Sequence, residues 1–152
     1  MFNFIIKENS KNLTKIAHLY TEIFDNTPYA KKEAELLNEW EKIILSNGII
    51  LTVEAEEFDY PFAFAVLKKE GDRLVIESQG IKKEFINQGV WDYLYKFIED
   101  YIDKNHFKEI QIYTDPSIFP EIYNVIKDNN FEEKKKNLAQ EISQKTFIKT
   151  IN

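Results

Sequence analysis

The sequence contains no cysteine, which excludes disulfides, thiolate-held zinc and a cysteine nucleophile. Glycine and proline are scarce, four of each in 152 residues, far below the level of a fibrous or low-complexity chain. No apolar run is long enough to span a bilayer, and the opening MFNFIIKENSKNL turns charged too early for the apolar stretch of a secretion signal. Basic residues are outnumbered, 20 Lys and Arg against 26 Asp and Glu, giving a net charge of −6. A nucleic-acid backbone is therefore a poor partner, whereas a cationic small molecule suits that sign. The expectation is a cytoplasmic protein that binds neither nucleic acid nor membrane.

What is abundant points to a packed core. Hydrophobic residues make up 43% and aromatics 14% of the chain, with 12 Phe and 8 Tyr, enough to fill one domain over residues 1–152. Residues 2–8 read as a strand, and Ser10 and Asn12 as caps for a helix carrying Leu13, Ile16, Ala17, Tyr20, Ile23 and Phe24 on one face. DNTPY at 25–29 breaks it, and a second helix from about Lys31 stops at Asn47-Gly48. Strands follow in GIILTVEAEE, YPFAFAVLKK and RLVIESQGI, the last two joined by the Gly71-Asp72 turn. Trp91 lies in a long amphipathic helix with Leu94, Tyr95, Ile98, Tyr101 and Ile102. A strand at 108–114 and a helix of about a dozen residues opened by Asp115-Pro116-Ser117 come next, then strands in 129–142 and 145–151. The order β-α-α-β-β-β-α-β-α-β-β implies an α/β (α+β) fold, a mixed central sheet with helices on both faces.

This order, together with four local stretches, resembles the GNAT family, the GCN5-related N-acetyltransferases. YPFAFAVL at 60–67 sits where the family has a valine-glycine-phenylalanine-alanine strand, with Ala63 for its glycine. EIQIYT at 109–114 matches the following strand, and DNNF at 128–131 takes the place of a glycine-phenylalanine turn, with Asn130 for glycine. Ile86-Asn87-Gln88-Gly89-Val90-Trp91 aligns with the family's phosphate loop, Gln/Arg-x-x-Gly-x-Gly/Ala, and keeps its central glycine alone. Backbone N–H groups at a helix start point toward an anion there, and the helix dipole adds to the attraction.

The resemblance implies acetyl-CoA as acyl donor, with Ile81, Lys83, Ile86, Asn87, Gln88, Gly89, Val90 and Trp91 at the cofactor. It implies no metal, and no His or carboxylate set here has metal-ligand spacing. Glu77, on the same strand face as Val75, Gln79 and Ile81, is the candidate base; partial burial would raise its pKa toward neutrality. The family's general acid is a tyrosine at the position of Ile126, which has no proton to give. Tyr123, one turn earlier, is the candidate replacement and Tyr113 the alternative. Phe24, Pro28 and Tyr29 fall where the family forms its acceptor pocket, for a small amine or peptide amine; a homodimer is compatible with the reading. The implied activity is acetyl transfer to an amine by direct attack. The alternative is a GNAT-fold CoA-binding or interaction module without turnover, which Ile86, Trp91 and Ile126 favour.

Overall fold

A computed structural model describes residues 3–57, 60–134 and 144–151. The elements run β1 (Phe4–Asn9), α1 (Thr14–Phe24), α2 (Glu33–Leu45), β2 (Ile49–Ala55), β3 (Pro61–Glu70) and β4 (Arg73–Ile81), then a 3-10 turn (Lys83–Phe85). They continue with α3 (Val90–Lys104), β5 (Glu109–Thr114), α4 (Pro120–Asp128), β6 (Glu132–Lys134) and β7 (Lys145–Thr150). All strands join one sheet in the order β1-β2-β3-β4-β5-β7-β6. Among the described residues only β4 and β5 pair in parallel, with α3 as their crossover. This is the mixed sheet expected from the order of elements. The part of the expected strand over 129–142 beyond Lys134 lies outside the described residues.

Strand β3 is buried from Pro61 through Leu67 on both faces, so helices must cover both. Helix α1 packs with α2, and α3 with α4. On the α1–α2 side the Phe64 ring meets Tyr20 and Trp40, at centroid distances of 5.7 and 6.3 Å. Trp91 is the largest fully buried side chain, and its indole N–H has no hydrogen-bond partner. The apolar stripe of α3 therefore points inward, as its 3.6-residue period indicates.

A chain so poor in glycine closes its helices with other residues. Asn47, His106 and Asn130 take left-handed φ values of 66°, 57° and 65°. At each, the next residue's N–H reaches back to close the helix end: Gly48 to Ile43, Phe107 to Ile102 and Phe131 to Ile126. These are Schellman ends, for which Asn is the natural second choice after Gly.

Three local expectations are corrected. Neither Ser10 nor Asn12 caps α1: Leu13 occupies the N-cap without a side-chain bond, and Asn12 is left-handed at φ 57°. Helix α4 is nine residues long and opens at Pro120, because the Asp115 carboxylate and carbonyl close a separate turn. That turn takes the N–H groups of Ser117, Ile118 and Phe119. Lastly, the alternation of Val75, Glu77, Gln79 and Ile81 is broken. Val66 pairs with Ser78 but Leu67 with Ile76, leaving Glu77 as an extra bulged residue.

Candidate functional site

The bulge at Glu77 coincides with a split in the sheet. Parallel pairing of β4 with β5 runs from Arg73↔Glu109 to Ile76↔Ile112 and stops there. Strand β4 continues to Ile81 along β3 alone. Across the opening, the Gln79 amide N–H₂ donates to the Tyr113 carbonyl at 2.8 Å, one of the backbone acceptors that the split leaves without a ladder partner. A carbonyl can only accept, and the N–H₂ is the only donor of the Gln79 side chain, so this bond fixes which way the amide faces. Its Oε1 is turned away, buried and without a partner; so is the nearby Thr114 hydroxyl.

Beside the split lies a cleft of about 690 Å³ between the α1–α2 pair and the ends of β4 and β5. Phe24, Tyr29 and Glu77, far apart in sequence, all line it, with Tyr113 and Asp115. Phe24 is held in a ring cluster with Tyr29 and Phe119, at 6.2 and 5.6 Å. Asp115 is 5% exposed and accepts from the Tyr29 hydroxyl at 2.6 Å and from the Ser117 N–H and hydroxyl. Tyr20 donates to the Tyr29 carbonyl at 2.8 Å. Burial, and secondarily Glu39 and Glu35, push its phenol far up, so it stays a donor. Glu77 is exposed at the cleft, which corrects the expected partial burial: the bulge turns it outward.

The second assembly lies at the far end of β4. Ile81, 2% exposed, pairs with Ala63, and the chain then turns through Lys83, Ile86, Asn87 and Gln88 into α3. Phe85 stacks on Phe62 with centroids 4.1 Å apart, anchoring the turn. Gly89 is the N-cap of α3 at φ 74°, and an added Cβ would meet nothing within 4 Å. The Trp91 ring is wholly inside, so this residue and Val90 present backbone and not bulk. One amide of the loop is taken: Asn87 donates its backbone N–H to the Glu121 carboxylate at 2.8 Å.

Tyr123 does not join the cleft. Its ring packs edge-on against Phe147 at 5.6 Å, with the Lys127 and Lys145 ammoniums at 5.4 and 5.8 Å from its centroid. Ile126 is fully buried. Of the three tyrosines that line the cleft with Glu77, Tyr20 and Tyr29 already donate their hydroxyl protons to the Tyr29 carbonyl and Asp115, whereas the Tyr113 hydroxyl accepts from the Gln111 amide. Sequence reasoning also passed over Gln79, Thr114 and Glu121, and took Asp115 for a helix opener. The Asp-Pro-Ser signal was present there but read as a cap. Among the described residues no His, Cys, Asp or Glu group could hold a metal ion, and no helix is long and apolar enough to cross a membrane.

Solved structures share this architecture. Phosphinothricin acetyltransferase from Sinorhizobium meliloti in complex with acetyl-CoA, a GNAT superfamily protein, superposes with a TM-score of 0.77 at 12% identity, covering 97% of this chain and 88% of that one. A GNAT-family acetyltransferase from Staphylococcus aureus Mu50 gives 0.76 at 12% identity, covering 99% and 100%. PaiA N-acetyltransferase from Thermoplasma acidophilum, in complex with coenzyme A, gives 0.74 at 15% identity, covering 98% and 99%. No family model and no curated protein matches the sequence. The chain has the GNAT fold.

Proposed function

We propose that this GNAT-fold chain is an acetyl-CoA-dependent N-acetyltransferase that acts on an amine. The observation that carries the reading is the arrangement along β4: an open glycine cradle beyond its C-terminal end, and a cleft with carboxylates and aromatic rings beside Glu77 to Gln79, where the sheet splits. The cradle fits a pyrophosphate because Gly89 leaves its outer side clear and Trp91 keeps its ring out of the way. The residues that would hold the cofactor are the backbone N–H groups from Gln88 to Trp91 at the α3 start, with the exposed Lys83 as a nearby cation and the free edge of β4 from Gln79 to Ile81. When bound, acetyl-CoA supplies the activated acetyl group.

The chain's own residues do the rest. Glu77 reaches the cleft without a hydrogen-bond or ion-pair partner among the described residues, and takes a proton from the entering ammonium so that a neutral amine is available. Phe24, Tyr29 and Phe119 hold the acceptor's apolar body. The Tyr113 hydroxyl, whose lone pair is engaged by Gln111, keeps its own proton to give. The cleft geometry favours Tyr113 over Tyr123 as the proton donor.

A second reading, a CoA-binding module without turnover, draws on two observations: Glu121 already occupies the Asn87 amide, and Ile126 is buried and apolar. Thiol release from acetyl-CoA in the presence of an amine panel separates the two. Turnover that falls about 10²-fold or more in Glu77→Gln supports the enzyme. Binding of acetyl-CoA with no thiol release on any amine supports the module.

A further inference from the structure

The cleft holds two buried polar atoms that the fold leaves unanswered. Gln79 is 3% and Thr114 4% exposed, yet the Gln79 Oε1 and the Thr114 Oγ1 have no hydrogen-bond partner. Buried polar groups are almost always paired, so such atoms mark a bound water or a ligand. Both side chains line the same cleft. Both also lie at one crossing of β4 and β5, since Gln79 bonds to the carbonyl of Tyr113, the residue just before Thr114. The Thr114 hydroxyl is no structural cap or strand bond.

The groups around them set the sign of what fits. The Gln79 Oε1 can only accept, because its N–H₂ is spent on Tyr113. Asp115, buried, also lines the cleft, its oxygens taken by the Tyr29 hydroxyl and by Ser117. Glu77 adds another carboxylate, and the Tyr20, Phe24 and Trp40 rings offer faces that attract cations. Four lysines also line the cleft: Lys31 is tied to Glu39 at 3.0 Å, Lys68 lies 4.0 Å from Glu70, the Lys69 ammonium stands over the Tyr101 ring, and Lys42 is exposed near the end of α2. At the two unpartnered atoms an anionic group would meet the Gln79 Oε1, which can only accept. An ammonium with several N–H bonds meets partners.

We infer that Gln79 and Thr114 are the specificity-determining pair of the cleft, reading two N–H groups of a primary or secondary ammonium borne on an aromatic or compact apolar body. This rests on the acceptor-cleft reading above and narrows it: a tertiary amine, which has one N–H when protonated, cannot answer both atoms.

The test uses phenethylamine titrated into the full chain without any CoA, followed by amide chemical shifts and calorimetry. The probe is expected to shift Gln79 and Thr114, and to bind at least about tenfold more tightly than N,N-dimethylphenethylamine or phenylacetate, the scale of one hydrogen bond to a charged group. Thr114→Val removes an unpaired hydroxyl and keeps the β-branch, so it should melt no lower than wild type while losing about tenfold in phenethylamine affinity. Gln79→Met is the second variant, expected to lose the same affinity, with its melting curve read alongside. Three results would overturn the inference: no binding at millimolar phenethylamine, equal affinity in Thr114→Val, or an ordered water on both atoms that the amine does not displace. Because CoA is absent, failure here leaves the cofactor cradle standing. Failure of CoA to bind, with the amine bound as described, removes the transferase reading and keeps the amine site.

Discussion

Replacing Gly89 with aspartate tests whether the loop before α3 is an anion cradle or a plain helix start. The backbone there stands at φ 74°, where a side chain costs about 1 kcal/mol, and Asp tolerates this region better than most residues. The added Cβ meets nothing within 4 Å, so no clash adds to that cost. A loss of about 1 kcal/mol lowers Tm by about 2–4 °C in a chain of this size. The effect on CoA is larger. A carboxylate about 5 Å from a phosphate charge, at an effective dielectric of about 20, is repelled by about 3 kcal/mol, on the order of a hundredfold in Kd. Gly89→Ala supplies the Cβ without the charge and should lose much less. Calorimetry with CoA and thermal melts on the three proteins separate the terms. Wild-type affinity in Gly89→Asp, or a melting point that collapses in Gly89→Ala, would refute the reasoning.

Glu121→Gln keeps an acceptor for the Asn87 N–H but removes the charge beside the loop; CoA affinity should rise roughly tenfold, as for one like charge at a partly exposed site, and calorimetry showing no gain contradicts the competition. Tyr113→Phe should lower turnover by about 10²-fold with CoA affinity kept, while Tyr123→Phe, outside the cleft, should change turnover little; the reverse pattern would return the proton donor to α4. Burial raises the phenols of Tyr20 and Tyr95, with Glu39 and Glu35 adding to the first and Glu99 to the second. The folded protein therefore keeps these protons where the unfolded chain, with its ordinary value near 10.0, gives them up. Stability from these groups is level below that pH and falls above it, by about 1.4 kcal/mol per pH unit for each phenol. Urea unfolding at pH 9 and 11 measures this, and equal stability at both would contradict it.

Much of the fold was legible because periodicity carries it. The inward stripe of α3, the turn at Gly71-Asp72 and the left-handed Asn47 and Asn130 all follow from local chemistry. What escaped depends on register and distance. The bulge that turns Glu77 out arises from a shift in pairing between β3 and β4, which no alternation pattern within β4 contains. The bond from Asn87 to Glu121 spans 34 residues, and that from Gln79 to Tyr113 likewise joins two strands that the crossover helix separates. Phe24 and Tyr29, which the resemblance assigns to an acceptor pocket, lie together at the cleft wall. Its polar floor, built from Gln79, Thr114 and Asp115, was invisible because each of these residues has an ordinary strand or turn explanation when read alone.

Direct titration of the protein with acetyl-CoA, followed by the amide signals of the loop into α3, addresses the central claim most closely. The account predicts saturable binding, with the largest shifts at Gln88, Gly89, Val90 and Trp91 and along β4 toward Ile81. It also predicts about 2.7 kcal/mol of added stability at roughly 100 times the dissociation constant. An unmoved melting temperature and unshifted loop amides at millimolar acetyl-CoA would contradict it.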